Sequence, residues 1–181
     1  MTGRRIILDL CGGTGAWSRP YADAGYDVRL VTLPDADVRV MEFPGGVHGI
    51  LAGPPCTHLA ASGARWWQAK GPSARLEALS VADACCRLVL MCKPKWWAME
   101  NPVGRLRRFY GPPTMMFNPC DYGDPWTKRT CLWGEFAAPT TSPVAPTEGS
   151  KMHRLSPSPD RARLRSITPP GFARAFFEAN P

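Results

Sequence analysis

Four short apolar runs, at residues 5–10, 27–33, 48–52 and 95–99, recur along the chain with helical stretches between them. No other feature constrains the fold as much. Apolar runs of this length that close on glycine or proline turns read as buried strands. Their alternation with helices implies an α/β architecture: a mainly parallel sheet with helices on both faces and ligands beyond the strands' carboxyl ends. The clearest helix is predicted over 74–91, where Leu76, Leu79, Cys86 and Leu90 fall near helical spacing and Glu77, Asp83 and Arg87 are left to water. A last helix is predicted over 170–179, carrying Phe172, Phe176 and Phe177 inward. With 181 residues the chain is long enough for one domain with a sizeable core.

The chemistry gathers where these runs end. Arg4 to Leu10 leads into Cys11-Gly12-Gly13-Thr14-Gly15, with a helix predicted from Ala16 towards Ala24. A strand, a glycine-rich turn and a helix bring backbone amides close to a ligand at the positive helix end. The turn lacks the spaced third glycine of a dinucleotide fingerprint. Asp9 and Trp17 suit an amino-acid-bearing nucleoside better, although Trp17 also reads as a core residue where helix meets sheet. The third run closes on Gly53-Pro54-Pro55-Cys56, whose two prolines mount Cys56 rigidly just past a strand end. The fourth closes on Glu100-Asn101-Pro102. A cysteine and a carboxylate so placed form a nucleophile and a proton donor facing one cleft. Taken singly, each has a plainer reading, as a buried small hydrophobe and a solvated acid.

Together these segments resemble the cytosine-5 DNA methyltransferase family. Asp9 through Trp17 looks like its S-adenosylmethionine motif, Gly53-Pro54-Pro55-Cys56 its nucleophile loop, and Glu100-Asn101-Pro102-Val103 its Glu-Asn-Val motif with a proline inserted. Arg165-Ser166-Ile167-Thr168-Pro169 is similar to its late Arg-x-x-Thr-Pro segment. The resemblance implies a Rossmann-like S-adenosylmethionine-dependent methyltransferase fold over 1–181, and a compact, phage-type member of the family. Cys56 would attack carbon 6 of cytosine, Glu100 would protonate ring nitrogen 3, and Asn101 would orient the loop. Asp9, Cys11, Gly13, Gly15, Trp17 and Pro54 would hold the cofactor, with Asp35 for the ribose and Asp37 for the adenine. Both aspartates also read as loop residues without a ligand.

Two departures qualify the resemblance. The family's Gln-x-Arg-x-Arg strand corresponds to Trp126 through Trp133, where Lys128 and Thr130 fall at the arginine positions and Arg129 is offset by one. Lys128 and Arg129 are therefore both candidates for the base-contacting cation. The usual target-recognition region is replaced by a Pro-, Ser- and Thr-rich loop over 135–160, too short for a folded module. A protein partner is one way to supply the missing recognition.

The charge pattern points to a polyanion. The net charge is +7, and residues 91–181 hold 13 Lys and Arg against 7 Asp and Glu. Arg65, Lys70, Arg105, Arg108 and Arg165 are the candidate nucleic-acid contacts. The stretch Arg65-Trp66-Trp67-Gln68-Ala69-Lys70 reads as a mobile loop closing over DNA, or as one anchored on the core by its tryptophans. Seven cysteines without a Cys-x-x-Cys pair and only three histidines predict a reduced, cytoplasmic protein without metal. No membrane span or signal peptide is expected. The same chemistry on RNA or a free cytosine nucleotide, and a binding module without turnover, stand as the alternatives.

Overall fold

The computed structural model describes residues 3–181. In chain order the strands are β1 (Ile6–Leu10), β2 (Asp27–Val31), β3 (Val47–Ala52), β4 (Trp96–Pro102), β5 (Met115–Phe117) and β6 (Thr130–Glu135). The helices are α1 (Arg19–Asp23), α2 (Trp67–Cys92), α3 (Arg107–Tyr110), α4 (Lys151–Arg154), α5 (Arg161–Ser166) and α6 (Pro170–Ala179). A 3₁₀ turn spans Ala61–Trp66 directly before α2.

All six strands form one sheet, in the order β2-β1-β3-β4-β6-β5. The first four pair in parallel, while β6 runs antiparallel to both its neighbours, β4 and β5. The sheet is therefore mixed, and the expectation of a mainly parallel one holds only in part. The reversed strand has a positional consequence. Its first residue, Thr130, pairs with Pro102 at the carboxyl end of β4, so the residues entering β6 arrive at the edge where β1, β3 and β4 leave the sheet.

Alternating side chains along the strands split the core in two. Leu8, Leu10, Ile50, Met99 and Trp133 face α2, which contributes Ala78, Ala82, Cys85 and Leu88. Ile7, Leu51, Trp96, Ala98 and Leu132 face α1 and α6 and meet an aromatic cluster of Trp17, Tyr21, Phe172 and Phe176. Phe172 stacks on Phe117 with ring centroids 3.8 Å apart. The expected last helix is present, with Phe172 and Phe176 fully buried and Phe177 partly so.

Several boundaries differ from expectation. The helix predicted from Ala16 towards Ala24 contracts to Arg19–Asp23, because Thr14–Ser18 stays in turns. Along α2 the buried stripe is Ala78, Ala82, Cys85 and Leu88, whereas Leu76 and Leu90 are exposed. Small residues occupy the helix face closest to the sheet, so the largest apolar side chains do not mark it. Residues 65–70 are not a loop. They complete the 3₁₀ turn and open α2, which kinks at Gly71 (φ 70°) just before Pro72. The 135–160 segment holds α4 and is otherwise mostly irregular, tied down where Ser142 and Val144 donate backbone hydrogen bonds to the carbonyls of Asp121 and Cys120 (2.9 and 2.8 Å). Among the described residues no helix is long and apolar enough to cross a membrane.

Candidate active site

A cleft of about 1260 Å³ opens at the carboxyl ends of β1, β3 and β4. On one wall, β1 delivers Asp9, almost fully buried, whose carboxylate accepts a hydrogen bond from Ser18 Oγ at 2.5 Å. Burial pushes the Asp9 carboxyl up to about 6, outweighing the Ser18 bond that favours its charge. Trp17 is a core residue where helix meets sheet, its ring packed on Phe172 and Phe176 (6.0 and 5.4 Å), and it also borders the cleft. Its buried Nε1 has no hydrogen-bond partner among the described residues.

The opposite wall is the loop after β3. Gly53 N donates to Leu10 O (2.8 Å), prolonging the sheet pairing into the loop. Asn101 is buried on β4, and its Nδ2 donates to Pro54 O at 2.8 Å. Beyond Cys56 the chain is zipped to the segment after β4, with Ala61 N bonding Val103 O and Arg105 N bonding Leu59 O, both at 2.8 Å. Gly104 sits in this short antiparallel ladder because a β-carbon there would strike the Leu59 carbonyl. Lys70 Nζ adds a bond to Thr57 O (3.1 Å). Cys56 is thus held from both sides, half-buried, at the lip of the cleft.

Glu100 lies on β4 beside that lip. Lys128, entering β6, brings Nζ to 3.8 Å from Glu100 Oε1 and donates to the carbonyl of Arg165 at 3.0 Å. Burial pushes the Cys56 thiol up, and the charge of Glu100 adds to the effect, while Lys128 and Arg165 oppose it.

Most of the predicted site residues share this cleft. Asp9, Cys11, Gly13, Trp17, Pro54, Cys56, Arg65, Glu100, Lys128, Arg129 and Arg165 all line it. Asn101 and Lys70 lie behind the lining and hold the Cys56 loop. Gly15 closes the turn, its N–H bonded to Gly12 O at 3.0 Å. Asp35 is exposed and off the cleft. Asp37 also lies outside it, in an ion pair with Arg39 (2.7 Å) that holds its carboxyl below the usual range. Arg105 and Arg108 line a separate recess. Sequence reasoning missed Ser18, the partner of Asp9, and the wall formed by His153, Arg161 and Ala162 of α4 and α5 and the turn between them. The run of cations between Lys151 and Arg174 was its only signal.

No family model and no curated protein matches this chain. Among solved structures it is similar to a protein assigned as a DNA modification methyltransferase encoded within an E. coli prophage. That match has a TM-score of 0.51 and 20% identity over 72% of this chain and 46% of the other. The chain has a methyltransferase fold. It spans less than half the length of that neighbour. A methyltransferase of Entamoeba histolytica aligns with a TM-score of 0.49 and 11% identity, covering 87% of this chain and 61% of that one. Among the described residues no group of His, Cys, Asp or Glu is arranged to hold a metal ion.

Proposed function

We propose that this chain is an S-adenosylmethionine-dependent methyltransferase that modifies carbon 5 of cytosine in DNA through a covalent adduct with Cys56. One observation carries the reading. Cys56, beyond the end of β3, and Glu100, near the carboxyl end of the neighbouring parallel strand β4, share a cleft with Lys128 and with the glycine turn of β1.

The glycine-turn side of the cleft fits the methionine end of the cofactor. A β-carbon on Gly12 would overlap the Asp9 carboxylate, so only glycine leaves that acid in place beside the turn. The unpartnered Trp17 Nε1 and the open backbone at Gly13 (φ 57°) complete a polar cradle. Asp9, Gly12, Gly13, Trp17 and Pro54 would hold this end, while the nucleoside end finds no acid from Asp35 or Asp37. When bound, S-adenosylmethionine supplies an electrophilic methyl group, which no side chain can provide.

The residues of the chain supply the rest. Carbon 5 of cytosine is a weak nucleophile, and Cys56 Sγ activates it by bonding to carbon 6 as a thiolate. Glu100 gives its proton to ring nitrogen 3 as that bond forms, so the electrons reach carbon 5 as an enamine. Lys128 faces the carboxylate left on Glu100, and with Arg165 it favours the ionised thiol that burial opposes. After carbon 5 is methylated, its proton departs to water, the carbon 6–sulfur bond breaks with Cys56 leaving as the thiolate, and ring nitrogen 3 returns its proton to the Glu100 carboxylate. A base within a duplex has to leave the stack to reach Cys56. Arg65, Arg129 and Arg165 on the cleft walls suit the phosphates beside it.

Transfer of tritium from labelled S-adenosylmethionine to duplex DNA, single-stranded DNA, RNA and dCTP, with nucleoside analysis, tests the proposal. The expected product is 5-methylcytosine in DNA, with none from Cys56→Ser although that variant still binds the cofactor. Sustained turnover by Cys56→Ser would sink the covalent mechanism. Label found only in RNA or dCTP would replace DNA as the substrate.

A further inference from the structure

The turn Ala61–Trp66 separates two depressions. On one side is the cleft that holds Cys56. On the other is a recess of about 340 Å³ whose walls include Trp67, Gly104, Arg105, Arg107 and Arg108. Ala61 and Val103 line both. The two hollows therefore adjoin across a ridge one turn wide, and Trp66 stands on that ridge, 54% exposed, with the Arg65 guanidinium over its ring at 5.1 Å.

The recess carries positive charge that nothing offsets. Arg19, Arg29, Arg39 and Arg163 each form an ion pair with an aspartate. Among the described residues, Arg75, Arg105, Arg107 and Arg108 form none, and their side chains donate no hydrogen bond. Arg105 is nonetheless held in place, its guanidinium over the Trp67 indole at 3.7 Å. Burial, together with repulsion from Arg75 and Arg108, pushes its guanidinium below the ordinary range. Like charges gathered around a fixed, stacked arginine lose this repulsion when an anion settles among them.

We propose that this recess is a second nucleic-acid site, gripping the phosphodiester backbone beside the nucleotide held in the cleft. This rests on the methyltransferase reading and sharpens it. The substrate is a polynucleotide strand crossing the ridge at Trp66, where a base can stack, and not a free nucleotide. The ladder joining Leu59–Ala61 to Val103–Arg105 fixes the recess relative to Cys56 through the backbone, so a strand seated there presents its neighbouring base to the thiol in a set register.

Fluorescence anisotropy of a labelled, cytosine-containing oligonucleotide of about 16 nucleotides, single-stranded and duplex, reads this across a salt titration. Replacing the three arginines (R105Q/R107Q/R108Q) is expected to weaken binding about tenfold or more and to flatten the salt slope by about 2 to 3. A control with the same charge loss elsewhere (R19Q/R29Q/R174Q) is expected to keep the parental slope. Because R105Q also removes the stack on Trp67, R107Q/R108Q is measured beside it and is expected to retain most of the loss with an unchanged melting temperature. Equal losses in the two triple variants, an unchanged slope in R105Q/R107Q/R108Q, or no DNA binding by the parental protein would overturn the site. Cofactor binding, followed separately by calorimetry, bears only on the methyltransferase reading, so the two can fail independently.

Discussion

The Cys56 thiol is pushed above the ordinary range, by burial first and by the charge of Glu100 second. Only the thiolate attacks. The rate at which iodoacetamide alkylates Cys56 is therefore expected to rise about tenfold per pH unit between about pH 7 and 9, without a plateau. A plateau below pH 8 would show a far more acidic thiol than this geometry gives. Lys128→Gln removes a cation that favours the thiolate, so its profile is expected to move to higher pH and its activity at neutral pH to fall, with cofactor affinity retained. Burial pushes the Asp9 carboxyl up as well. Its folded pKa of about 6 stands above its unfolded value near 3.8. Its contribution to stability is full below pH 3.8 and is lost as pH rises through 6. Asp9→Asn is accordingly expected to be more stable than the parent at pH 8, by roughly 3 kcal/mol or less, with the difference vanishing near pH 4. Denaturant unfolding at the two pH values checks it. A buried charge kept at a cost in stability is what a ligand site requires.

At the scale of elements, the Cys56 loop depends on the segment after β4. Asn101 holds Pro54 from behind, and the ladder through Gly104 holds the chain ahead of it. Gly104→Ala forces a β-carbon against the Leu59 carbonyl, so the ladder has to open. The variant is expected to lose about 1–3 kcal/mol of stability and most of its transfer activity, while affinity for S-adenosylmethionine, which the proposed function assigns to the β1 turn, changes little. Thermal unfolding and calorimetry separate the two effects. A variant as active as the parent would mean the loop is positioned without the ladder. Asn101→Ala strips Pro54 O of its side-chain partner and is expected to cost about 1–3 kcal/mol. Local pattern made much of this legible: two apolar runs, a Pro-Pro turn and an acid at a strand end are short-range signals. The ladder was not, because Gly104 and Leu59 lie 45 positions apart and nothing in either segment marks the other.

Across the whole molecule, the sheet is closed by its two aromatic and aliphatic cores and by the C-terminus. The Tyr21 hydroxyl donates to Asn180 O (2.9 Å), Asn180 pairs with Ala137 through both its amide groups (2.7 and 2.9 Å), and His48 Nε2 lies 2.8 Å from Pro181 O. Phe172→Ala opens a cavity under Trp17 and Phe117 and is expected to cost about 3–5 kcal/mol in denaturant unfolding. Alternation and composition alone were enough to establish the α/β class, the four parallel strands, the closing Phe helix and the placing of Cys56 and Glu100 at strand ends. Each of these depends on neighbours within a turn or a strand length. Sequence did not decide which cation meets Glu100, that Asp35 and Asp37 lie off the cleft, or that three arginines share a recess behind Trp66. Those depend on β6 entering the sheet in reverse and on segments far apart in the chain meeting in register. Strand insertion and register are settled by the packing of the whole core, and no local run of residues encodes them.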